Sequence, residues 1–202
     1  MKPLALALLS LVSAAPSPRD DLARLQLVDL HFYEGRPVSD FMQHRRNEQG
    51  TAPSPDPATR LDWTTDGCSV PGVSEALAKY PGLPKAFDFA DPCTRHDFGY
   101  RNYPKSALGS RRDAVDRQFR EDMKAVCAAS RPVVRPFCYS MAEVYYAAVS
   151  GAGAKHFGQK PERTGRVEGG SLLEKELQPS QVQDILNNIE QAGQALGREK
   201  SG

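Results

Sequence analysis

Apolar residues recur at helical intervals in several stretches of the chain, whereas the alternation typical of strands is weak throughout. The first stretch covers residues 20–33, and a short second helix is expected to follow Ser39 as its N-cap and to run over 40–49. Two longer stretches have one apolar face each, at 111–129 and 137–149. The hydrophobic pattern therefore predicts an all-α fold.

The segment 93–103, "CTRHDFGYRNY", combines aromatic and ionisable residues. As a helix it would place Cys93, His96, Tyr100 and Tyr103 along one face. Adjacent residues on a helix point about 100° apart, so His96 and the neighbouring Asp97 would face different partners. For the two tyrosines, packing in the core is favoured over support of a histidine–aspartate dyad that contains His96.

The first residues have the layout of a secretory signal peptide. A basic start at Lys2 precedes the apolar run 4–12, and small residues follow up to Ala15. We predict a signal peptide at 1–15 and a secreted, extracellular protein without a transmembrane span, because no stretch reaches about 20 apolar residues. The formal charge of +1 gives no reason to expect nucleic acid as a partner, and we expect a monomer.

Changes in composition divide the remainder of the chain into three parts. The expected parts are an N-terminal helical arm or pro-segment with a Pro-rich linker, a functional domain, and a linker with an amphipathic C-terminal helix, at 16–60, 61–157 and 158–202. Ser180 and Gln183 resemble a capping box for the last helix. Its apolar face would comprise Val182, Ile185, Leu186 and Ile189.

Four cysteines in a secreted chain indicate two disulfides, which can be connected in three ways. The simplest connection is sequential, Cys68 with Cys93 and Cys127 with Cys138. The first bridge would draw Asp66, two residues before its cysteine, towards the start of the helix that carries His96.

Two kinds of chemistry are then expected around this helix. Asp66, Asp97, a turn with Gly67 and nearby carbonyl oxygens would form a hard-oxygen site that suits calcium. A histidine that acts as a base needs a carboxylate to orient its ring. On helix 111–129, Asp116 shares the apolar face and is the expected partner of His96, with Asp113 as the backup.

Three runs within residues 61–150 carry a specific resemblance: "DGCS", "FDFADPCTRHDFGYRNY" and "DRQFREDMKAVC". The chain resembles the secreted phospholipase A2 family of fungi and bacteria, often called group XIV. The resemblance implies a small disulfide-stapled α-helical domain that cleaves the sn-2 ester of glycerophospholipids with Ca²⁺. It implies His96 as base, Asp116 as its orienting carboxylate, and Asp66, Asp97 and the Gly67 carbonyl as calcium ligands.

Two other classes of function compete with this interpretation. A catalytically silent secreted protein of the same fold would use its surface to bind a partner. Such a protein would have no need of all four of His96, Asp97, Asp66 and Asp116. A metal-dependent phosphohydrolase would require more histidines. The chain contains only His31, His44, His96 and His156, with no second histidine–aspartate pair.

Overall fold

The computed structural model of the protein describes residues 18–51, 59–67, 87–152 and 157–158, and the single positions 187, 191, 194 and 198. These residues are mainly helical, and no strand occurs among them. The principal helices are α1 (Pro18–Phe32), α2 (Val38–Gln49), α3 (Ala90–Asn102), α4 (Leu108–Ala129) and α5 (Arg135–Ala152), with a 3₁₀ turn at Lys105–Ala107. The expected all-α fold is confirmed.

One predicted helix start is wrong. Helix α2 begins at Val38, its N-cap position is occupied by Pro37, and no side chain caps it, so Ser39 lies inside the first turn. Proline suits this place because its ring fixes φ, which is −53° here, while its ψ of 144° keeps it outside the helix. A capping pattern that looks for a serine side-chain oxygen does not identify a proline that fits the N-cap position through its backbone angles.

The first of two apolar clusters joins α4 to α5. Its buried side chains come mainly from facing positions of the two helices: Phe119, Met123, Cys127, Cys138, Met141, Ala142 and Tyr145. Cys127 and Cys138 form the predicted disulfide across the turn between them. Cys93 is also disulfide-bonded, whereas Cys68, its predicted partner, lies outside the described residues.

The second cluster joins α1 and α2 to α3 and α4. It includes Val28 and Phe32 from α1, Phe41 from α2, Phe98 from α3 and Val115 from α4, all at most 1% exposed. Residues 18–51 therefore share a core with the helix that carries His96. The division of the chain at residue 60 stays a prediction.

Within the described part of the chain, no helix is both long enough and apolar enough to span a bilayer. The predicted signal peptide at 1–15 and the apolar positions of the predicted C-terminal helix, Val182, Ile185, Leu186 and Ile189, lie outside the described residues.

Candidate active site

Helix α3 is buried along almost its whole length, and several of its buried side chains are polar: Thr94, Arg95, His96 and Asn102. Buried polar groups are costly unless they are paired. Arg95, 1% exposed, forms an ion pair with Asp122 of α4 at 3.0 Å. It also donates hydrogen bonds to the carbonyls of Tyr33 (2.8 Å) and Arg36 (2.9 Å). Arg95 therefore ties α3 both to α4 and to the residues that follow α1.

The next residue, His96, meets the predicted carboxylate. Its Nε2 lies 3.0 Å from Oδ1 of Asp116, and the two side chains are 10% and 3% exposed. From Arg95 through His96 to Tyr100 along α3, the partners on α4 are Asp122, Asp116 and Arg112 in turn, so their numbers decrease. The helices therefore run antiparallel, and the expected contact forms. Asp113, the backup, is exposed.

Two further side chains hold Asp116: Tyr100, for which the sequence favoured packing over support of the pair, and Arg112, which the sequence interpretation did not include. The hydroxyl of Tyr100 donates to Oδ1 at 2.8 Å, and Nε of Arg112 lies 3.5 Å from Oδ2. Arg112 is itself tied to α5, since its guanidinium donates to the carbonyls of Val149 (3.1 Å) and Ser150. The spacing of four residues between Arg112 and Asp116 was an available signal.

The aromatic neighbours of His96 fix the plane of its ring. The ring centroid lies 4.2 Å from that of Tyr100 and 4.7 Å from that of Phe119. Tyr100 thus both packs in the core and supports the His96–Asp116 pair. Tyr103 has a different partner, because its hydroxyl donates to Asp29 of α1 at 2.7 Å.

Asp97 faces the segment 59–67 rather than α4. Its Oδ2 accepts a hydrogen bond from the hydroxyl of Thr65 (2.6 Å) and another from the backbone N–H of Asp66 (3.1 Å). Gly67 follows with a positive φ of 76°, a conformation that glycine adopts without strain. The three residues predicted to hold calcium are therefore gathered at one end of this segment.

Asp66, Gly67 and Asp97 together form what we call the oxygen cluster, and its chemistry fits a hard cation. Burial, together with the nearby Asp66 carboxylate, raises the pKa of Asp97 to about 6 even though Thr65 stabilises its charge. A carboxylate in such a position gains from an added positive charge. Carboxylate and carbonyl oxygens are the ligands that calcium prefers.

The backbone N–H of Asp66 contacts Asp97, whereas its carboxylate pairs with Arg101. The carboxylate is 72% exposed and forms an ion pair with Arg101 at 3.0 Å, while Arg101 also donates to the hydroxyl of Thr64. Arg101 is on α3, so the pair places Asp66 beside the same helix as Asp97. The sequence interpretation missed this arginine.

Polar and aromatic contacts hold the segment 59–67 on α3. The Asn102 side chain accepts from the backbone N–H of Asp62 (2.7 Å) and donates to its carbonyl (2.7 Å). The Trp63 ring stacks on Phe98 with centroids 4.5 Å apart. Helix α3 therefore positions both the oxygen cluster and the His96–Asp116 pair.

Comparison with known proteins gives a consistent result. The sequence model of prokaryotic phospholipase A2 matches residues 29–153. A secretory phospholipase A2 of Beauveria bassiana is 32% identical over 149 residues, which are 73% of this chain and 65% of that protein. A secretory phospholipase A2 of Arthroderma benhamiae is 33% identical over 69 residues, 33% of this chain and 40% of that protein. The chain thus spans less than two thirds of the length of these relatives.

The family match extends over more than half of the chain and includes the His96–Asp116 pair as well as the oxygen cluster around Asp97. The chain belongs to the prokaryotic phospholipase A2 family.

Proposed function

We propose that the protein is a secreted enzyme that hydrolyses the sn-2 ester of glycerophospholipids, with calcium, to a fatty acid and a lysophospholipid. Family membership and the names of both relatives, secretory phospholipase A2, support hydrolysis and secretion. The observation that carries the mechanism is the buried contact of 3.0 Å between His96 and Asp116.

His96 acts as the general base. When its Nε2 carries the proton and donates to Asp116, the opposite nitrogen, Nδ1, keeps a free lone pair. Tyr100 and Arg112 hold Asp116, and Asp116 in turn fixes the ring. The carboxylate also stabilises the imidazolium that forms when Nδ1 takes a proton.

The reaction needs only water as a co-reactant. Water loses a proton to Nδ1 of His96 while its oxygen bonds to the carbonyl carbon of the ester. The carbon–oxygen bond to the glycerol then breaks, and His96 returns the proton to the departing alkoxide. The fatty acid and the lysophospholipid balance the atoms, and no acyl-enzyme is required.

Asp97, Asp66 and the carbonyl of Gly67 would hold the calcium ion, as their oxygen chemistry and their gathering around Thr65 suggest. Bound calcium would polarise the ester carbonyl and stabilise negative charge on its oxygen. Asp97 follows His96 directly on the same helix, so this helix would hold the calcium site beside the base.

The test uses phosphatidylcholine with different acyl chains at the two positions, and it identifies the fatty acid that is released. We expect release of the sn-2 chain, its loss in a chelator, and its recovery with added calcium. His96→Gln should abolish release, and Asp97→Asn should raise the calcium requirement. Asp91→Asn is the matched control, since Asp91 is an exposed aspartate of the same helix.

Distinct outcomes contradict distinct parts of the proposal. Activity that persists undiminished in chelator would overturn the role of calcium, and release of the sn-1 chain would overturn the assigned bond. A folded protein that binds phospholipid vesicles without hydrolysing them would indicate the silent binding protein instead.

A further inference from the structure

Helices α1 and α2 bring together two histidines that lie thirteen residues apart in the sequence. Nδ1 of His31 and Nε2 of His44 are 2.6 Å apart, and Oε1 of Glu48 lies 3.9 Å from the same Nε2. The three candidate ligand atoms all lie within 4.8 Å of one another. From this convergence we propose a second metal site, for a divalent transition-metal ion such as Zn²⁺, held by His31, His44 and Glu48.

The chemistry of these three side chains differs from that of the oxygen cluster around Asp97. Two imidazole nitrogens and one carboxylate oxygen form a ligand set that zinc uses in three-ligand sites, where water completes the tetrahedron. Imidazole nitrogen favours zinc and copper over calcium, which takes oxygen ligands. The protein would therefore bind two different metals at two separate places.

The short distance between the two rings is itself informative. Two N–H groups pointing at one another would repel, so at 2.6 Å one ring nitrogen donates a hydrogen bond and the other accepts it. A zinc ion would replace that shared proton. Zinc–nitrogen bonds of about 2.0–2.1 Å in tetrahedral geometry place two ligand nitrogens about 3.3 Å apart, so the rings need to separate by about 0.7 Å.

The surroundings permit this adjustment and keep the site accessible. All three ligands are half-buried, the Glu48 side chain being 36% exposed and that of His44 18%. Glu48 is four residues after His44 on α2, so one helix face supplies two of the ligands.

A spectroscopic reporter lies beside the site. Trp63, the only tryptophan of the chain, has its ring centroid 6.0 Å from the rings of both His31 and His44. A paramagnetic ion such as Cu²⁺ at the site should therefore quench its fluorescence. This readout is independent of hydrolysis, so the proposed metal site stands or falls separately from the proposed enzymatic activity.

The experiment titrates chelator-treated full-length protein with Zn²⁺ by calorimetry, in excess calcium to occupy the oxygen cluster, and repeats the titration with Cu²⁺ while recording tryptophan emission. We expect one equivalent of Zn²⁺ to bind, and Cu²⁺ to quench Trp63 at the same stoichiometry. His44→Gln and Glu48→Gln should each weaken binding by more than about tenfold. His96→Gln, the matched control, should bind zinc like the parent protein.

The result that overturns the proposal is equally specific. Zinc binding that is absent, that survives unchanged in His44→Gln, or that disappears in His96→Gln would exclude this site. Circular dichroism confirms that each variant is folded. If His44→Gln fails to fold, Glu48→Gln decides the question, because its half-exposed side chain is not part of the core.

Discussion

Close packing of α3 on α4 depends on Gly99, and a single added methyl group tests it. A Cβ at Gly99 would lie 2.8 and 2.9 Å from the two γ-carbons of Val115 and 3.1 Å from a ring carbon of Phe32. Ordinary contact begins near 3.4 Å, so α3 and α4 must separate by about 0.6 Å. Val115 cannot turn aside, because it is buried and its β-branched side chain has one strongly preferred rotamer in a helix.

The expected cost follows from this overlap. Overpacking of a well-filled core destabilises proteins by about 1–3 kcal/mol, against which alanine gains about 1 kcal/mol of helix propensity over glycine. Gly109→Ala in α4 is the matched control, because a Cβ there meets nothing within 4 Å. The difference in unfolding free energy between Gly99→Ala and Gly109→Ala should therefore be about 1–3 kcal/mol.

The same separation should impair catalysis. His96 lies three residues before Gly99, and a movement of about 0.6 Å would stretch its contact of 3.0 Å with Asp116 to a length at which no hydrogen bond remains. Urea unfolding and initial rates of fatty-acid release measure the two effects. If Gly99→Ala matches Gly109→Ala in both stability and kcat, the inference that this glycine sets the distance between the helices is refuted.

Two further substitutions test the buried charges. Asp116→Asn should lower kcat by about 10²–10⁴-fold with little change in KM, because it removes the carboxylate that orients the base. Asp113→Asn, on the exposed side of the same helix, should leave kcat unchanged. Equal losses of kcat in steady-state assays of the two variants would contradict the assignment. Asp122→Asn should cost about 3–5 kcal/mol in urea unfolding, because it leaves the buried guanidinium of Arg95 without its carboxylate. Glu143→Gln, which removes the exposed partner of Arg120 and Lys124, should cost much less, and similar costs would contradict a special contribution of the buried pair.

The apolar stripes along the chain were sufficient to predict the two longest helices. Residues 111–129 lie within α4 and 137–149 within α5, because the buried face of each helix is contiguous in sequence at the helical period. The contact of His96 with Asp116 was also predictable, since a carboxylate on an apolar face requires a partner.

Contacts that depend on where a third element lies were not predictable in this way. Arg95 was given no role, yet it is buried against Asp122 and two backbone carbonyls. Nothing in the local sequence distinguishes this arginine from an exposed one; its burial arises because the residues after α1 close over α3. The pairing of His31 with His44 escaped for the same reason, since it needs the packing of α1 on α2.

That packing also bears on the two interpretations of residues 16–60 as an arm or a pro-segment. The residue after α1, Tyr33, has a left-handed φ of 57°, and its carbonyl accepts from Arg95. Phe32 contacts the position that Gly99 leaves open, and Phe41 packs on Phe98. Removal of this segment would expose the apolar side of α3 that Phe32 and Phe41 cover, and it would remove the two backbone acceptors of Arg95. The contacts therefore favour an arm that remains with the domain, because the helix that carries both His96 and Asp97 is held in place by it.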